Sequence, residues 1–429
     1  MLNIAVIGYG TAGQAAAILL SRDGHRVEVF EQAAQPGPVG AGFLLQPVGL
    51  HVLWEMQLLD QALAHGARID RLYGETVDGR AVMDMRYAGL DERLFGLGMQ
   101  RGALFSLLAQ AWPDVETIHR GQRIAGVDAT GRRVRDATGR EFGPYDLVVA
   151  ADGAGSCLRA EVGRAKLDRP YPWGALWCLL PQAGWEHRSE LRQRYVAARK
   201  MIGLLPVGTR PGDATARLSF FWSLRTSEFD QWQTDGLAPW LDEIGAMWPQ
   251  ARAQMHEINE CSQLRRASYR DAVLARWSRG RLVLIGDAAH SMSPQLGQGV
   301  NMALMDALAL RDALRAEPVI DSAVQRYERE RRAHVRIYQF WSRWLTPLFQ
   351  SDRDGIARVR DFALLPLGRL PGGRGHMLRV LSGLQHGWFA RLQLPERFLM
   401  RLEGAHTEQV RPAAVADASP AHSPADLPP

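Results

Sequence analysis

Apolar residues in this chain gather in short runs that stop at glycine. Residues 2–7 form the first, followed by Gly8, Gly10 and Gly13 and then by residues 14–20, which have helical composition. Residues 26–30 form a second short run, rich in Val and Phe. The pattern predicts strand, helix and strand within about 30 residues. Residues 147–150 and 282–285 are continuous apolar runs, as expected for strands buried on both faces. The first is followed by Asp152-Gly153 and the second by Gly286-Asp287. Helical spacing covers 50–63 and 101–111. The middle differs: 173–180, 201–206 and 216–224 have strand character, with a turn at Gly212 and Asp213. An antiparallel sheet is predicted there, with a helix over 237–247. Helical pattern resumes at 306–314 and 324–345 and continues, more brokenly, to about Glu403. From Gln409 onward Pro, Ala, Ser and Asp dominate, which predicts a disordered tail.

A length of 429 residues suits two closely joined domains, and 46% hydrophobic residues suffice for a sizeable core. No apolar run reaches 18 residues, so no transmembrane helix is expected. The apolar N-terminus lacks a basic leader and a small-residue cleavage context, so a signal peptide is not expected either. The net charge is +5, and all but two of the 51 basic residues are arginine. They are scattered among acids rather than blocked together, which argues against a nucleic-acid partner. Cys157, Cys178 and Cys261 form neither a disulfide framework nor a metal-ligand spacing. Reduced thiols, a cytoplasmic protein and no metal site are the expectation.

Three motifs carry chemistry. Gly8-x-Gly10-x-x-Gly13 lies between strand and helix. Gly8 permits the tight turn, Gly10 lets backbone approach a pyrophosphate, and Gly13 lets the helix pack on the strand. Ala12 belongs to the same turn, and the helix start offers unpaired N–H groups to an anion. Glu31, with Gln32 after it, ends the second strand where an acid would accept ribose hydroxyls. This predicts a dinucleotide site without choosing the dinucleotide. The second motif, Gly286-Asp287, puts a carboxylate at a strand end; the loop Pro294-Gln295-Leu296-Gly297-Gln298-Gly299-Val300-Asn301 feeds a helix whose first N–H groups can face an electron-rich group. The third, Asp152-Gly153-x-x-Ser156-x-x-Arg159, reads either as a ligand site or as a plain helix cap.

Taken in this order, the motifs resemble those of the group A flavin monooxygenases, the FAD-dependent aromatic hydroxylases of the para-hydroxybenzoate hydroxylase fold. The resemblance covers about residues 1 to 350. It implies an α/β fold with an α+β middle domain: a Rossmann-like FAD-binding domain made of discontinuous segments, an antiparallel-sheet substrate domain, and C-terminal helices. The FAD-binding segments would be 1–72, 99–168 and 269–335, the substrate domain 73–98 and 169–268, the helical region 336–405 and the tail 406–429. Cofactor contacts are implied for Gly8, Gly10, Ala12, Gly13, Glu31, Gln32, Asp152, Arg159, Gly286, Asp287, Gly299, Val300 and Asn301. Pro294, Gly297 and Gly299 match the loop beside the isoalloxazine ring, where the reaction takes place. Gly42, within Gly40-Ala41-Gly42-Phe43, resembles the segment against which the flavin swings, and Arg101 an arginine that contacts FAD.

The implied reaction uses NADPH or NADH as a transient co-substrate and O2, and hydroxylates an aromatic or polyketide-like small molecule through a flavin C4a-hydroperoxide. No second GxGxxG follows a strand, so no separate nicotinamide domain is expected. A halogenase, epoxidase or reductase on the same fold, or a non-catalytic FAD-binding redox sensor, are the alternatives, and the chain would act as a monomer or homodimer. Phe220, Phe221 and Trp222 could wall a pocket or fill a core. The aromatic stretch 335–349 could pack on the flavin domain or touch a membrane surface. His290 is expected to be a packed residue beside the flavin.

Overall fold

The apolar runs that end in glycine become neighbours in one sheet. In a computed structural model, which describes residues 1–410 except 38, 39, 113, 115, 116, 370 and 371, that sheet has six strands. Their order is Ser278–Arg279, Leu282–Leu284, Leu147–Ala150, Asn3–Ile7, Arg26–Glu31, Ile118–Arg120. All pair in parallel except the short edge strand Ser278–Arg279. Ile7 lies opposite Ala150 and Ala150 opposite Leu284, so three motif-bearing strands end level with one another. Helices Thr11–Arg22 and Gly299–Ala316 pack together against the sheet and bury its central strands. Gly13 makes this approach possible: a Cβ there would come within 1.9 Å of the Gly8 carbonyl oxygen.

The second sheet has seven strands, ordered Arg265–Leu274, Ala165–Pro181, Asp213–Arg225, Lys200–Arg210, Glu190–Val196, Arg71–Thr76, Ala81–Arg86. It is antiparallel as expected, except that Glu190–Val196 and Arg71–Thr76 run parallel. Helices Phe229–Asp235 and Leu237–Met247 cover one face, where Leu176, Phe220, Trp222, Trp240 and Ile244 form a separate core. Strand alternation then sends Phe221 to the opposite face, toward a large cavity. The two readings of the aromatic triplet are therefore both realised, on alternate residues. Gly96–Gln100 does not join this sheet; it pairs with Gly42–Leu45 and Ala67–Ile69 in a three-stranded one.

The helical pattern expected over 50–63 is broken into Pro47–Glu55 and Leu59–His65. Gln57 between them has φ of 57°, a conformation that ends a helix, while Pro47 at the first helical turn starts the first one early. At the C-terminal end, Ile320–Phe349 is one 30-residue helix, followed by Asp354–Arg369, Gly373–Leu381 and Glu396–Val410. The last helix runs into the segment expected to be disordered; residues 411–429 lie outside the described residues. Among the described residues no helix is long and apolar enough to cross a membrane, and no His, Cys, Asp and Glu cluster suits a metal ion.

Candidate active site

Where the three parallel strands end, the chain turns sharply and the turns touch. The N–H of Gly8 donates to Phe30 O (2.7 Å), that of Ala151 to Ile7 O (2.8 Å) and that of Ile285 to Ala150 O (3.0 Å). Gly8 has φ of 101°, and a Cβ on it would lie 2.5 Å from Ala151 O, so its turn fits against the Asp152 turn only as glycine. Gly286, with φ of 59°, places its Cα against Ala12: a Cβ there would sit 3.0 Å from the Ala12 Cβ. The three motifs, separated by more than a hundred residues each, thus converge on one edge of the sheet. Gly10 precedes the helix Thr11–Arg22, whose first internal bond is Gln14 N–H to Gly10 O (2.9 Å). The N–H groups before it have no helical acceptor, and a Cβ at Gly10 would meet nothing within 4 Å.

The predicted site residues divide by what their side chains touch. Arg159 is 3% exposed and spends its donors on the protein: Ala288 O (2.9 Å), Asp287 O (2.8 Å), Ala154 O (3.1 Å) and Asp168 (3.1 Å). These bonds tie the Asp152 turn to the Asp287 turn. Asn301 behaves likewise, accepting from Gln46 N–H (2.8 Å) and donating to Leu44 O (3.2 Å) and Gly297 O (3.1 Å). It fixes the strand Gly42–Leu45 to the 294–299 loop. Glu31 accepts from Tyr9 N–H and Ala33 N–H, both at 2.8 Å, and Gln32 beside it is exposed. Ser156 accepts from Arg159 N–H (3.1 Å); the short helix that follows, Leu158–Val162, begins after Cys157 without a side-chain cap.

Other groups remain available. Asp152 Oδ2 accepts from Cys157 N–H (3.1 Å), but Oδ1 is buried and meets no donor, and burial raises the carboxyl pKa. Arg101, at the start of helix Arg101–Ala111, lines the cavity with its side chain exposed, and no carboxylate is in ion-pair reach among the described residues. Desolvation lowers its pKa, and the Asp287 carboxylate partly opposes that. Asp287, Gly42, Pro294, Gly297, Gly299 and Val300 line the same cavity. Its volume is about 1160 Å³, and it runs from these residues across the bare face of the seven-stranded sheet to helices Ile320–Phe349 and Gly373–Leu381.

The 294–299 loop is held from several sides. Ser293 hydrogen-bonds Ser342 (2.9 Å) and Thr346 (2.6 Å) of the long helix, and Gln298 donates to Leu381 O (2.7 Å). Gly297, with φ of 63°, turns the chain into the helix Gly299–Ala316. The N–H groups of Gly299 and Val300 precede the first helical bond, Met302 N–H to Gln298 O (2.9 Å), and stand at the cavity wall.

Sequence reasoning missed the groups beneath this frame. Asp306, 0% exposed, accepts from Gly286 N–H (2.7 Å), His290 Nε2 (2.6 Å) and Arg331 Nε (2.7 Å). Burial alone would raise its pKa, but His290 and Arg331 outweigh that and bring it down to about 2. His290 is packed as expected, against Trp277, with Asp306 as its partner. An acid at 306 between Met302 and Leu310 interrupts an apolar helical stripe, and that was the available signal. Tyr269 was also missed: its hydroxyl accepts from Trp177 Nε1 (3.1 Å), faces the cavity and is pushed by burial up to about 12, so it stays protonated at neutral pH.

An orphaned buried carboxylate oxygen, an open helix N-terminus, a cavity-lining cation without an ion pair and an acid beside a glycine loop suit a ligand with a pyrophosphate, a polyhydroxyl chain and a flat ring. Residues 1–339 match the family model described as FAD binding domain. Kynurenine 3-monooxygenase of Salinispora arenicola is 29% identical over 396 residues, covering 86% of this chain and 84% of the relative. 6-Hydroxynicotinate 3-monooxygenase of Pseudomonas fluorescens is 29% identical over 337 residues, 73% of this chain and 82% of the relative. The crystal structure of Klebsiella pneumoniae HpxO complexed with FAD and uric acid matches with a TM-score of 0.75 at 23% identity, over 89% of this chain and 97% of that one, which shows the shared fold. On the match over residues 1–339, the chain belongs to the FAD-binding-domain family, as an FAD-dependent monooxygenase of the group A aromatic hydroxylases.

Proposed function

We propose that the chain hydroxylates a small aromatic molecule with NAD(P)H and O2, and that the 294–299 loop is the place where ring, oxygen and substrate meet. The observation that carries this reading is the continuity of one cavity from Asp287, Arg101 and that loop to a predominantly apolar sheet face. Gly8, Gly10, Ala12 and Gly13 would take the pyrophosphate, Glu31 and Gln32 the ribose, and Asp152 and Asp287 hydroxyls further along FAD. Gly42, Arg101, Pro294, Gly297, Gly299 and Val300 would surround the flavin ring, with Gly286 and the side chains of Arg159 and Asn301 holding the turns in place. When bound, FAD accepts electrons from the nicotinamide and supplies O2-derived electrophilic oxygen, chemistry that no amino-acid side chain offers.

The protein's contribution is position, charge and dryness. N–H groups at Gly299 and Val300, with the Arg101 cation, stabilise negative charge at the loop without reorganising. The Tyr269 hydroxyl accepts from Trp177, meets no acceptor for its own proton among the described residues and faces the cavity, where it would donate to a bound group. Leu205, Met201, Phe221 and Trp177 exclude water from the neighbouring space. The test is substrate-stimulated NAD(P)H oxidation across a panel of phenols and larger aromatics, with product mass. A product heavier by one oxygen is expected. Constant NAD(P)H oxidation with every aromatic would remove the hydroxylase reading, and a halide requirement would indicate the halogenase.

A further inference from the structure

Across the cavity face of the seven-stranded sheet runs one continuous row of paired residues: Arg265, Trp177, Phe221, Gly203, Gln193, Gly74, Met83. Two of them are glycines, and each makes room for a ring. A Cβ on Gly203 would lie 2.2 Å from Phe221 Cε1, and one on Gly74 would lie 2.5 Å from Tyr195 Oη. The Phe221 and Tyr195 rings therefore lie along the sheet rather than standing on it. Trp177 meets Phe221 at 5.2 Å between centroids and Phe349 meets Tyr195 at 5.0 Å, so the aromatic surface continues from floor to roof. Leu72, Met85, Leu191 and Leu205 flank the row, and Trp341, Leu345, Leu348 and Met377 close it from the C-terminal helices.

Polar groups on this floor are few and specific. Asp84 is tied to Arg71 (2.7 and 2.9 Å), which also reaches Glu190 (3.1 Å), so neither charge is free. Gln193 is different. Tyr195 is almost wholly buried and its hydroxyl proton has one acceptor, Gln193 Oε1 at 2.7 Å. That bond turns the amide, and Nε2 is left without a partner among the described residues. The other charged groups on the cavity wall are Arg101 and Asp287 at the loop end and Arg265, Arg266 and Arg374 on exposed positions. The cavity continues past the residues assigned above to the flavin ring, along the floor and under the C-terminal helices. At its outer end stands Trp344, 65% exposed.

Resting on the flavoenzyme reading above, we propose that the substrate is a neutral aromatic carrying an extended apolar substituent, which lies on the Trp177–Phe221–Tyr195 floor and takes a hydrogen bond from Gln193 Nε2 to a carbonyl oxygen. A small aromatic carboxylate would leave most of the floor bare, and the cations it could meet, Arg101, Arg265, Arg266 and Arg374, lie away from the Phe221–Gln193–Tyr195 stretch. Gly203 and Gly74 set the depth of the groove, and Gln193, oriented by Tyr195, selects for the acceptor.

Matched probes test this on the FAD-loaded enzyme. Two series are titrated, 4-hydroxyphenyl alkyl ketones and 4-alkylphenols, each with alkyl chains of increasing length. Binding is read from the flavin absorbance change and by calorimetry, with 4-hydroxybenzoate as the carboxylate control. Each added methylene should tighten binding about fourfold, equivalent to ~0.8 kcal/mol per buried CH2, and 4-hydroxybenzoate should bind more weakly than the shortest ketone. Gln193→Leu should weaken the ketones about tenfold and leave the alkylphenols unchanged; Tyr195→Phe, which frees the amide to rotate, should fall between. FAD affinity should be unaltered in both variants. A flat chain-length series, tighter binding of the carboxylate, or equal effects of Gln193→Leu on the two series would overturn the proposal while FAD binding still stands. Failure of the wild-type protein to bind FAD would instead overturn the flavoenzyme reading beneath it.

Discussion

Two glycines two positions apart in the 294–299 loop have different physical reasons to be glycine, and exchanging each for valine separates conformation from space. Gly297 has φ of 63°, so valine there must adopt a left-handed backbone, costing roughly 1–2 kcal/mol before any clash. Gly299 has no such φ, and the nearest protein atom to a Cβ there, Asp287 Oδ1, is 3.9 Å away, an ordinary contact. Gly299→Val should therefore leave the melting temperature of the FAD-free protein within about 2 °C of wild type, since ~1 kcal/mol shifts a chain of this size by no more than that. Gly297→Val should lower it. If the flavin ring lies beside residue 299, the added carbons compete with it for the same volume. Overpacking of about 1–3 kcal/mol corresponds to FAD binding weaker by roughly 5- to 150-fold. Turnover should also divert to hydrogen peroxide, because a displaced ring no longer presents oxygen to the substrate. The measurements are FAD affinity by fluorescence titration, melting with and without FAD, and product formed per NAD(P)H consumed. Wild-type FAD affinity together with a wild-type product ratio in Gly299→Val would refute the placement of the ring at this loop.

Asp287→Ala removes a carboxylate acceptor at the cavity wall; FAD affinity should fall about 10- to 100-fold, the effect of roughly 1.5–3 kcal/mol, with the fold intact by circular dichroism. Arg101→Met should weaken FAD about tenfold and leave the melting temperature of the FAD-free protein close to wild type, since the exposed guanidinium has no ion pair to lose; unchanged FAD affinity would refute the contact. Asp306→Asn leaves Arg331 buried without its carboxylate and should cost about 3–5 kcal/mol at pH 7 by denaturant unfolding. Because the folded pKa of Asp306 is depressed to about 2, its stabilisation is fully present above the ordinary carboxylate range and is lost as pH falls through that value. The gap between wild type and Asp306→Asn should accordingly narrow as pH drops from 4 toward 2, and a constant gap would contradict the ionised state.

The parts of the site that were legible in the sequence are those whose physics is local. A strand that must stop, a glycine that must take positive φ and a helix that must begin occupy consecutive residues at Gly8–Gly13 and again around Gly286. Continuous apolar runs marked the central strands because both faces are covered. Other features depend on register between distant segments. Strand alternation says that Phe220 and Phe221 face opposite ways, but only the packing of Trp240 onto Phe220 decides which of them meets the cavity. The Tyr269–Trp177 and Gln193–Tyr195 bonds need sheet pairings that no window of sequence contains. Arg159 and Asn301 were found by motif but could not be assigned a direction; the acceptors that tie each to another motif, Ala288 O and Asp287 O for Arg159 and Leu44 O for Asn301, lie more than a hundred residues away.

The interleaved order of the parallel sheet has a consequence for synthesis. The strand Asn3–Ile7 emerges first, but one neighbour, Leu147–Ala150, comes from the middle of the chain, and that strand's other neighbour, Leu282–Leu284, comes later still. Gly8 packs on Ala151, Gly286 on Ala12, and Asn301 pins the strand Gly42–Leu45, so each motif waits for the next to reach the solvent. Long loops must close before any of these contacts is made, which delays the final pairing. A nascent chain that carries the dinucleotide fingerprint alone has the turn but not its walls. On the site proposed above, FAD capture would wait until all three turns are made, and a fragment ending before Ala151 would carry the dinucleotide fingerprint without the other two turns that pack against it.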